Sequence, residues 1–475
     1  MSGLNLDSRS LMNRLSAAAV ITSLLFCGCG APDEIAKNET ATQTEKVSSI
    51  QPLSLEIESS VLPISESDKE FSKRIQTLSR EASEHQINFD FAAASSKWRE
   101  AETLLTQQFG ASSWQTVNAR VAAATAATQA GFTNEQSELL KTIFQKQAQV
   151  SEGLRNSDIP IALRLSEEST EMSRTLFGED SFMMGKQLMQ LARMNQHAGN
   201  VEQATEHFVK AVQTLTAILG DHHPDLEMGY AYLGEIYLTN GDYSKAISSL
   251  TKSTEIAREL WGEGSLRFSA RANDLGVAYY RGNEFELAVK VLRVAEAIRR
   301  KRLTANHPQV AHSLTNLGAV YMELSRYDLA DQCLTHAHNV FMQHYGTRHR
   351  LTSDCKSKLA TVRVALGDAA SAEKLLSELI RSIRDEASPQ VIASLQYRLG
   401  TALTNQAKLR RAEPLFKSAL RIQKETLGES DEQTITTMRA LSLLLSRSNR
   451  HPEASEIENQ IQRVAQVDKE NGAHH

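Results

Sequence analysis

Residues 307–337, HPQVAHSLTNLGAVYMELSRYDLADQCLTHA, hold the pattern that decides the fold. Leu317, Gly318 and Tyr321 fall on one face of a helix, because side chains three or four residues apart share a face. After a short turn, Ala330, Leu334 and Ala337 do the same on a second helix. Pro308 stands where the first helix begins, a place that tolerates proline because the first helical N–H has no intrahelical acceptor. The stretch predicts two amphipathic helices joined as a hairpin.

The pattern continues on both sides. The leucine and its small neighbour recur as Leu191-Ala192, Leu233-Gly234, Leu275-Gly276, Leu317-Gly318, Leu359-Ala360, Leu399-Gly400 and Leu441-Ser442, in steps of 42, 42, 42, 42, 40 and 42 residues. Thirteen residues after each leucine stands an alanine: Ala204, Ala246, Ala288, Ala330, Ala372, Ala412 and Ala454. Four residues further on come Phe208, Leu250, Leu292, Leu334, Leu376, Phe416 and, as the one departure, Glu458. Gly199-Asn200, Gly241-Asp242 and Gly282-Asn283 mark turns within the pairs, while Gly178, Gly220, Gly262, Gly346 and Gly428 fit helix C-terminal caps. Pro224 and Pro389 repeat the role of Pro308. A small residue facing a leucine or phenylalanine lets two helices approach closely. A fixed period of such hairpins means stacked repeats, each too small to bury its apolar face alone.

The pattern resembles the tetratricopeptide repeat. Its 42-residue period, its His307-Pro308-Gln309-Val310-Ala311 start and the Arg411-Ala412-Glu413-Pro414-Leu415-Phe416 run followed by Ala419-Leu420 are similar to the kinesin-light-chain class of these repeats. The resemblance covers residues 182 to 466 and implies an all-α, right-handed α-α superhelix of stacked antiparallel helix pairs. It also implies a concave groove lined by the first helices, with inward positions one and two before each leucine and two and six after it. Those positions select Gln190, Arg193, Tyr232, Glu235, Asn273, Asp274, Arg281, Thr315, Asn316, Arg398 and Thr401. In the kinesin-light-chain class asparagines there hold an extended peptide by its backbone, since an amide both donates and accepts. Here Asn273 and Asn316 are asparagines, and other equivalents hold Gln190, Tyr232, Lys358 and Arg398. The implied partner is a protein or peptide segment; the alternative is a structural subunit that docks through its outer, convex face onto a larger envelope complex.

Upstream, 67–181 reads as degenerate helical repeats. Asp90, Ala94, Trp98 and Gly110 match Asp242, Ala246, Leu250 and Gly262, which makes 89–109 a second helix after a first at 67–86. Residues 114–130 read as another first helix. Gly110 and Gly178 are one repeat plus about 26 residues apart, room for an additional helix near 134–155 whose pairing the sequence leaves open. Residues 467–475 form a polar tail.

Composition narrows the function. With 41% hydrophobic residues in 475, the chain carries enough apolar material to fold, and a net charge of -5 argues against nucleic-acid binding. P-loop, GxGxxG, GxSxG, HExxH and CxxC patterns are missing from the sequence, so neither an enzyme nor a cofactor is expected. His336 and His338, two apart on a helix, point away from each other, which disfavours a shared metal despite His344 and His349 nearby. Cys333 and Cys355 lie on successive helices, either as a disulfide or as two inert thiols. Arg299, Arg300, Lys301 and Arg302 end a second helix, where positive charge complements the helix dipole; an anion-binding patch is the other reading.

The first residues read as an address. Arg9 and Arg14 precede an apolar run, Leu15 to Phe26, about 18 Å long as a helix and short of the roughly 30 Å hydrocarbon core. Gly28-Cys29 at its end resembles the lipobox of bacterial lipoproteins. The resemblance implies a signal peptide at 1–28, lipidation of Cys29 and membrane anchoring at the bacterial cell envelope, on the periplasmic side of the outer membrane. Residues 29–66, rich in Thr, Ser, Gln and Glu, are expected to be a flexible tether.

Overall fold

The computed structural model describes residues 66–384 and 386–472. The expected signal peptide, Cys29 and the tether up to residue 65 lie outside them. The described residues form nineteen α-helices and no strand. They belong to two compact units, Met1–Gly282 and Asn283–His475.

The first unit holds α1 (Glu66–Ile87), α2 (Phe91–Phe109), α3 (Trp114–Ala130), α4 (Asn134–Arg155), α5 (Ile159–Phe177), α6 (Phe182–Ala198), α7 (Val201–Leu219), α8 (Pro224–Thr239), α9 (Tyr243–Trp261) and α10 (Leu266–Arg281). The second holds α11 (Phe285–Arg302), α12 (Pro308–Glu323), α13 (Tyr327–Tyr345), α14 (Arg350–Ala365), α15 (Ala369–Ile383), α16 (Pro389–Asn405), α17 (Leu409–Thr426), α18 (Glu432–Arg447) and α19 (His451–Gly472). The last helix runs into the segment read from sequence as a polar tail.

Helix boundaries follow local chemistry. Ser181 and Ser265 accept hydrogen bonds from backbone N–H groups of the first turn, and Thr133 with Gln136 closes a reciprocal capping box. Histidine takes the cap role before α8, α12 and α14, where Nδ1 of His223, His307 and His349 accepts from the backbone N–H two residues on, at 3.1–3.2 Å. Gly178, Gly220, Gly262 and Gly346 cap their helices with φ of 76° to 83°. Within the turn after α10 the positive φ falls on Asn283, at 62°, instead of Gly282, because asparagine tolerates the left-handed region.

Packing within each pair is what the repeated positions dictate. The seven alanines from Ala204 to Ala454 are fully or almost fully buried, as are the seven leucines they answer. A Cβ on Gly318 would stand 2.6 Å from Leu334 Cγ, and one on Gly400 would stand 2.8 Å from Phe416 Cε1. The absent side chain is therefore the seat of the facing residue. The last pair departs at both ends of this contact together: Ser442 replaces the small partner, Glu458 replaces the large one, and Ser442 Oγ donates to Glu458 Oε1 at 2.9 Å.

Successive pairs stack mainly through the second helix of one and the first helix of the next, with first helices also in contact. Helix α8 touches α10, and α12, α14, α16 and α18 touch in series, while the second helices make no comparable contact with one another. Each unit thus curves toward its first helices, which form the inner layer. On the outer edge of the second unit a ladder of ion pairs ties each second helix to the next repeat: Glu286 to Arg326 at 2.7 Å, Asp331 to Arg363 at 3.0 Å, Glu373 to Lys408 at 2.7 Å and Glu413 to Arg450 at 2.9 Å. The Glu286–Arg326 pair is exposed and contributes about 0–1 kcal/mol, while the other three are partly buried.

The N-terminal helices depart from the regular array. Helix α4 pairs with α5 and α2 with both α1 and α3, whereas α3, read as a first helix, has no second helix of its own. Ala162, fully buried on α5, occupies the repeated alanine position one period before Ala204.

Replacing Gly318 with leucine should overpack the α12–α13 contact and cost about 1–3 kcal/mol in chemical denaturation. An unshifted unfolding midpoint would contradict the close approach.

Candidate functional site

The inner layer carries the side chains selected from the sequence, and the two units present different surfaces. In the first unit, Arg193 on α6 sits over the Tyr232 ring on α8, 5.3 Å from its centroid, and Tyr232 in turn stacks on Phe208 at 5.5 Å. Glu235 is exposed on α8, with neighbouring protein around its carboxylate. That crowding raises its carboxyl above the usual range, with Gln196 working against the rise and Asp274 adding to it. Asp274 accepts from Arg271 Nη1 at 3.0 Å. Arg271 also pairs with the fully buried Glu227, which Arg267 reaches at 3.1 Å. Burial disfavours the Arg271 charge, but Glu227 and Asp274 outweigh it and raise the guanidinium pKa. Asn273 is buried and Arg281 is exposed at the end of α10. This wall is aromatic and its charges are largely matched.

The second unit's inner layer is different. Thr315 Oγ1 donates back to Ala311 O at 2.9 Å on α12, leaving Asn316 half-buried beside it. Arg398 on α16 donates to Thr361 Oγ1 on α14 at 2.6 Å. Burial pushes its pKa down, and no carboxylate lies within ion-pair distance among the described residues. Lys358, one turn from Thr361 on α14, and Arg439 on α18 likewise have no carboxylate partner among the described residues. These three cations occupy first-helix positions one or two before the repeated leucine. Sequence reasoning singled out Arg398 and noted Lys358 without choosing it. It missed Arg439, Glu227 and Arg271, whose significance depends on which neighbours carry charge.

Other candidates have structural roles. His336 Nε2 and His344 Nε2 donate to Ala305 O at 2.9 Å and Asn306 O at 3.0 Å, and His349 is a helix cap. Arg299, at the end of α11, is buried and donates to Gln309 O at 3.1 Å and Ser313 Oγ at 2.9 Å, so it secures α12. Cys333 and Cys355 are unbridged, and burial pushes both thiols up to about 11. Among the described residues no group of three or more potential ligands could hold a metal ion, and no helix is long and apolar enough to cross a membrane.

His223 is the most perturbed histidine. Its ring is almost fully buried, edge-on to Trp114 of α3 at 6.4 Å, and burial lowers its pKa from 6.5 to about 4 against the opposing pull of Asp225. Below pH 6.5 the unfolded chain takes up the proton first. Stability should therefore fall by up to about 3 kcal/mol as pH drops from 6.5 toward 4 and level off below. Denaturation midpoints across that range should show the loss. A His223→Asn chain, which keeps a capping side chain, should show a shallower one.

Comparison with known proteins agrees with this geometry. A tetratricopeptide-repeat family model matches residues 187–259, 309–385 and 391–466. The chain is 26% identical over 153 residues to Protein KINESIN LIGHT CHAIN-RELATED 3 of Arabidopsis thaliana, covering 32% of this chain and 24% of that protein. It is 23% identical over 213 residues to the clustered mitochondria protein homolog of Danio rerio, covering 45% of this chain and 15% of the relative. The chain thus spans less than a quarter of the length of these curated relatives. Among solved structures, the apo form of the quorum sensor NprR from B. thuringiensis is similar in fold, with a TM-score of 0.50 at 12% identity over 78% of this chain and 97% of that one. The matched segments coincide with helix pairs between α6 and α19, and the described residues form an all-α fold of stacked antiparallel hairpins similar to tetratricopeptide repeats.

Proposed function

We propose that the chain is a non-catalytic scaffold whose inner face holds an extended segment of another protein. Tetratricopeptide repeats generally serve protein interaction. The observation that carries the reading is Arg398, a desolvated cation on the inner layer whose recorded partner is a hydroxyl. A half-buried cation is stabilised when a carboxylate reaches it, and none of the described residues does so. With Lys358 and Arg439 on the neighbouring first helices, the second unit's inner face suits a segment carrying acidic side chains. In the first unit Arg193, Tyr232 and Glu235 suit aromatic and amide contacts instead.

A second reading has its own observation. Leu287 and Leu329 occupy equivalent places on the outer faces of α11 and α13 and are 43% and 41% exposed, with Val294 at 44% on α11. Such apolar exposure suits docking of an outer face onto a larger assembly. In either case, the Cys29 lipobox resemblance supports attachment to a bacterial envelope membrane, the site where the partner would be met.

Selection of random peptides on the full chain tests the inner-face reading. Acidic sequences should be enriched, their binding should weaken with salt, and Arg398→Met should lower affinity about tenfold or more, in line with loss of one charge-assisted hydrogen bond. Enrichment indifferent to acidity, or affinity unchanged by Arg398→Met, would refute it.

A further inference from the structure

Helices α1, α2 and α3 close a core of their own, in which Ile75, Leu78, Trp98, Leu105, Ala119 and Ala122 are buried together. Three residues, 131–133, separate α3 from α4, yet these consecutive helices scarcely touch. The chain turns away there as at a hinge.

What holds the three helices to the remainder of the first unit is contact between rings and aliphatic side chains. Trp114 lies 5.5 Å from Trp261 and 6.4 Å from His223, Phe132 lies 5.8 Å from Phe177, and Lys141 Nζ stands 5.2 Å above the Phe89 ring. Ile87, Val117, Val121 and Phe144 pack against the cluster that includes Phe182 and Met183. The cover extends along α4, the first helix of its pair. Lys141, Phe144 and Gln147 succeed one another at three-residue spacing, and Gln147 is 2% exposed with neither amide atom bonded.

Such orphaned polar atoms recur on the helices around this seam. Gln86 Oε1, Gln129 Oε1, both amide atoms of Gln187 and His223 Nε2 are buried without a hydrogen-bond partner. Similar atoms occur in the regular repeats, Gln423 Oε1 and Thr352 Oγ1 among them, so they are not peculiar to the seam. Opening the seam would return those of them that line it to water while giving up the ring contacts.

We propose that α1–α3 form a hinged cap over the start of the inner layer, pivoting at residues 131–133, and that lifting it frees α4 and α6 to extend the surface offered to a partner segment. The regulatory part rests on the inner face being the binding surface, while the motion itself is testable without a partner.

Hydroxyl-radical footprinting of the full chain reads the motion. Trp114→Ala should raise labelling of Trp261 and Phe144 at least threefold, with unchanged helicity and unchanged protection of Phe208 in the repeat core. A Val117→Asp, Val121→Asp chain should do the same by a different route. Trp261 and Phe144 labelled as in the wild type, or Phe208 exposed in parallel with them, would overturn the cap, since either result makes α1–α3 an integral part of one body. Peptides selected on the full chain then read the regulation: Trp114→Ala should bind those that reach the first unit at least fivefold more tightly. A chain that opens without any gain in affinity overturns the regulatory claim and leaves the inner-face reading intact. Failure of wild type and variant alike to select peptides counts against the inner-face reading while the footprint still decides the motion.

Discussion

A helix pair in this chain holds together because one side of the contact has almost no side chain. Leu334 occupies the space where a Gly318 Cβ would be, and Phe416 does so at Gly400, while the alanine of each second helix is buried in the same seam. Helices that meet this closely have little freedom in crossing angle, since interiors pack at near-crystalline density. Within each unit, similar contacts repeated at a fixed step give similar hairpins. The closeness of the first helices to one another, and so the inner layer itself, is a consequence of that repetition.

The coupled exception at the C-terminal pair shows how strictly the contact is matched. Serine in place of glycine leaves no seat for a leucine, and the facing residue is a glutamate that takes the serine's hydrogen bond. Among the described residues this pair has a stacked neighbour on one side only, and a polar seam costs less there than it would between two neighbours.

The fold was legible because its determinants are local and periodic: a leucine with a small neighbour, an alanine thirteen residues on, and a turn between. Where the period is interrupted, legibility ends. Residues 134–155 could not be paired from the sequence because Gln149 and Val150 stand where Leu191 and Ala192 stand one period later, although Ala162 keeps its place. The inner-face residues were selected by register alone, and register does not reveal charge balance. Arg271 and Arg398 both lie on first helices, yet one is held between two carboxylates and the other faces a hydroxyl. The aromatic seam of Trp114, His223 and Trp261 joins residues more than a hundred positions apart, and periodicity carries no signal for it.

Each unit presents its own inner wall: in the first the charges are largely matched, and in the second Lys358, Arg398 and Arg439 have no carboxylate partner among the described residues. The apolar outer positions of α11 and α13 compete with that wall as the point of contact. A photo-crosslinking side chain placed either at Thr401 on the inner layer or at Leu329 on the outer face, in the full chain expressed in its own cells, tests the two most directly. Adducts to a partner from Thr401 and none from Leu329 are the predicted result, and adducts from Leu329 alone would contradict the account.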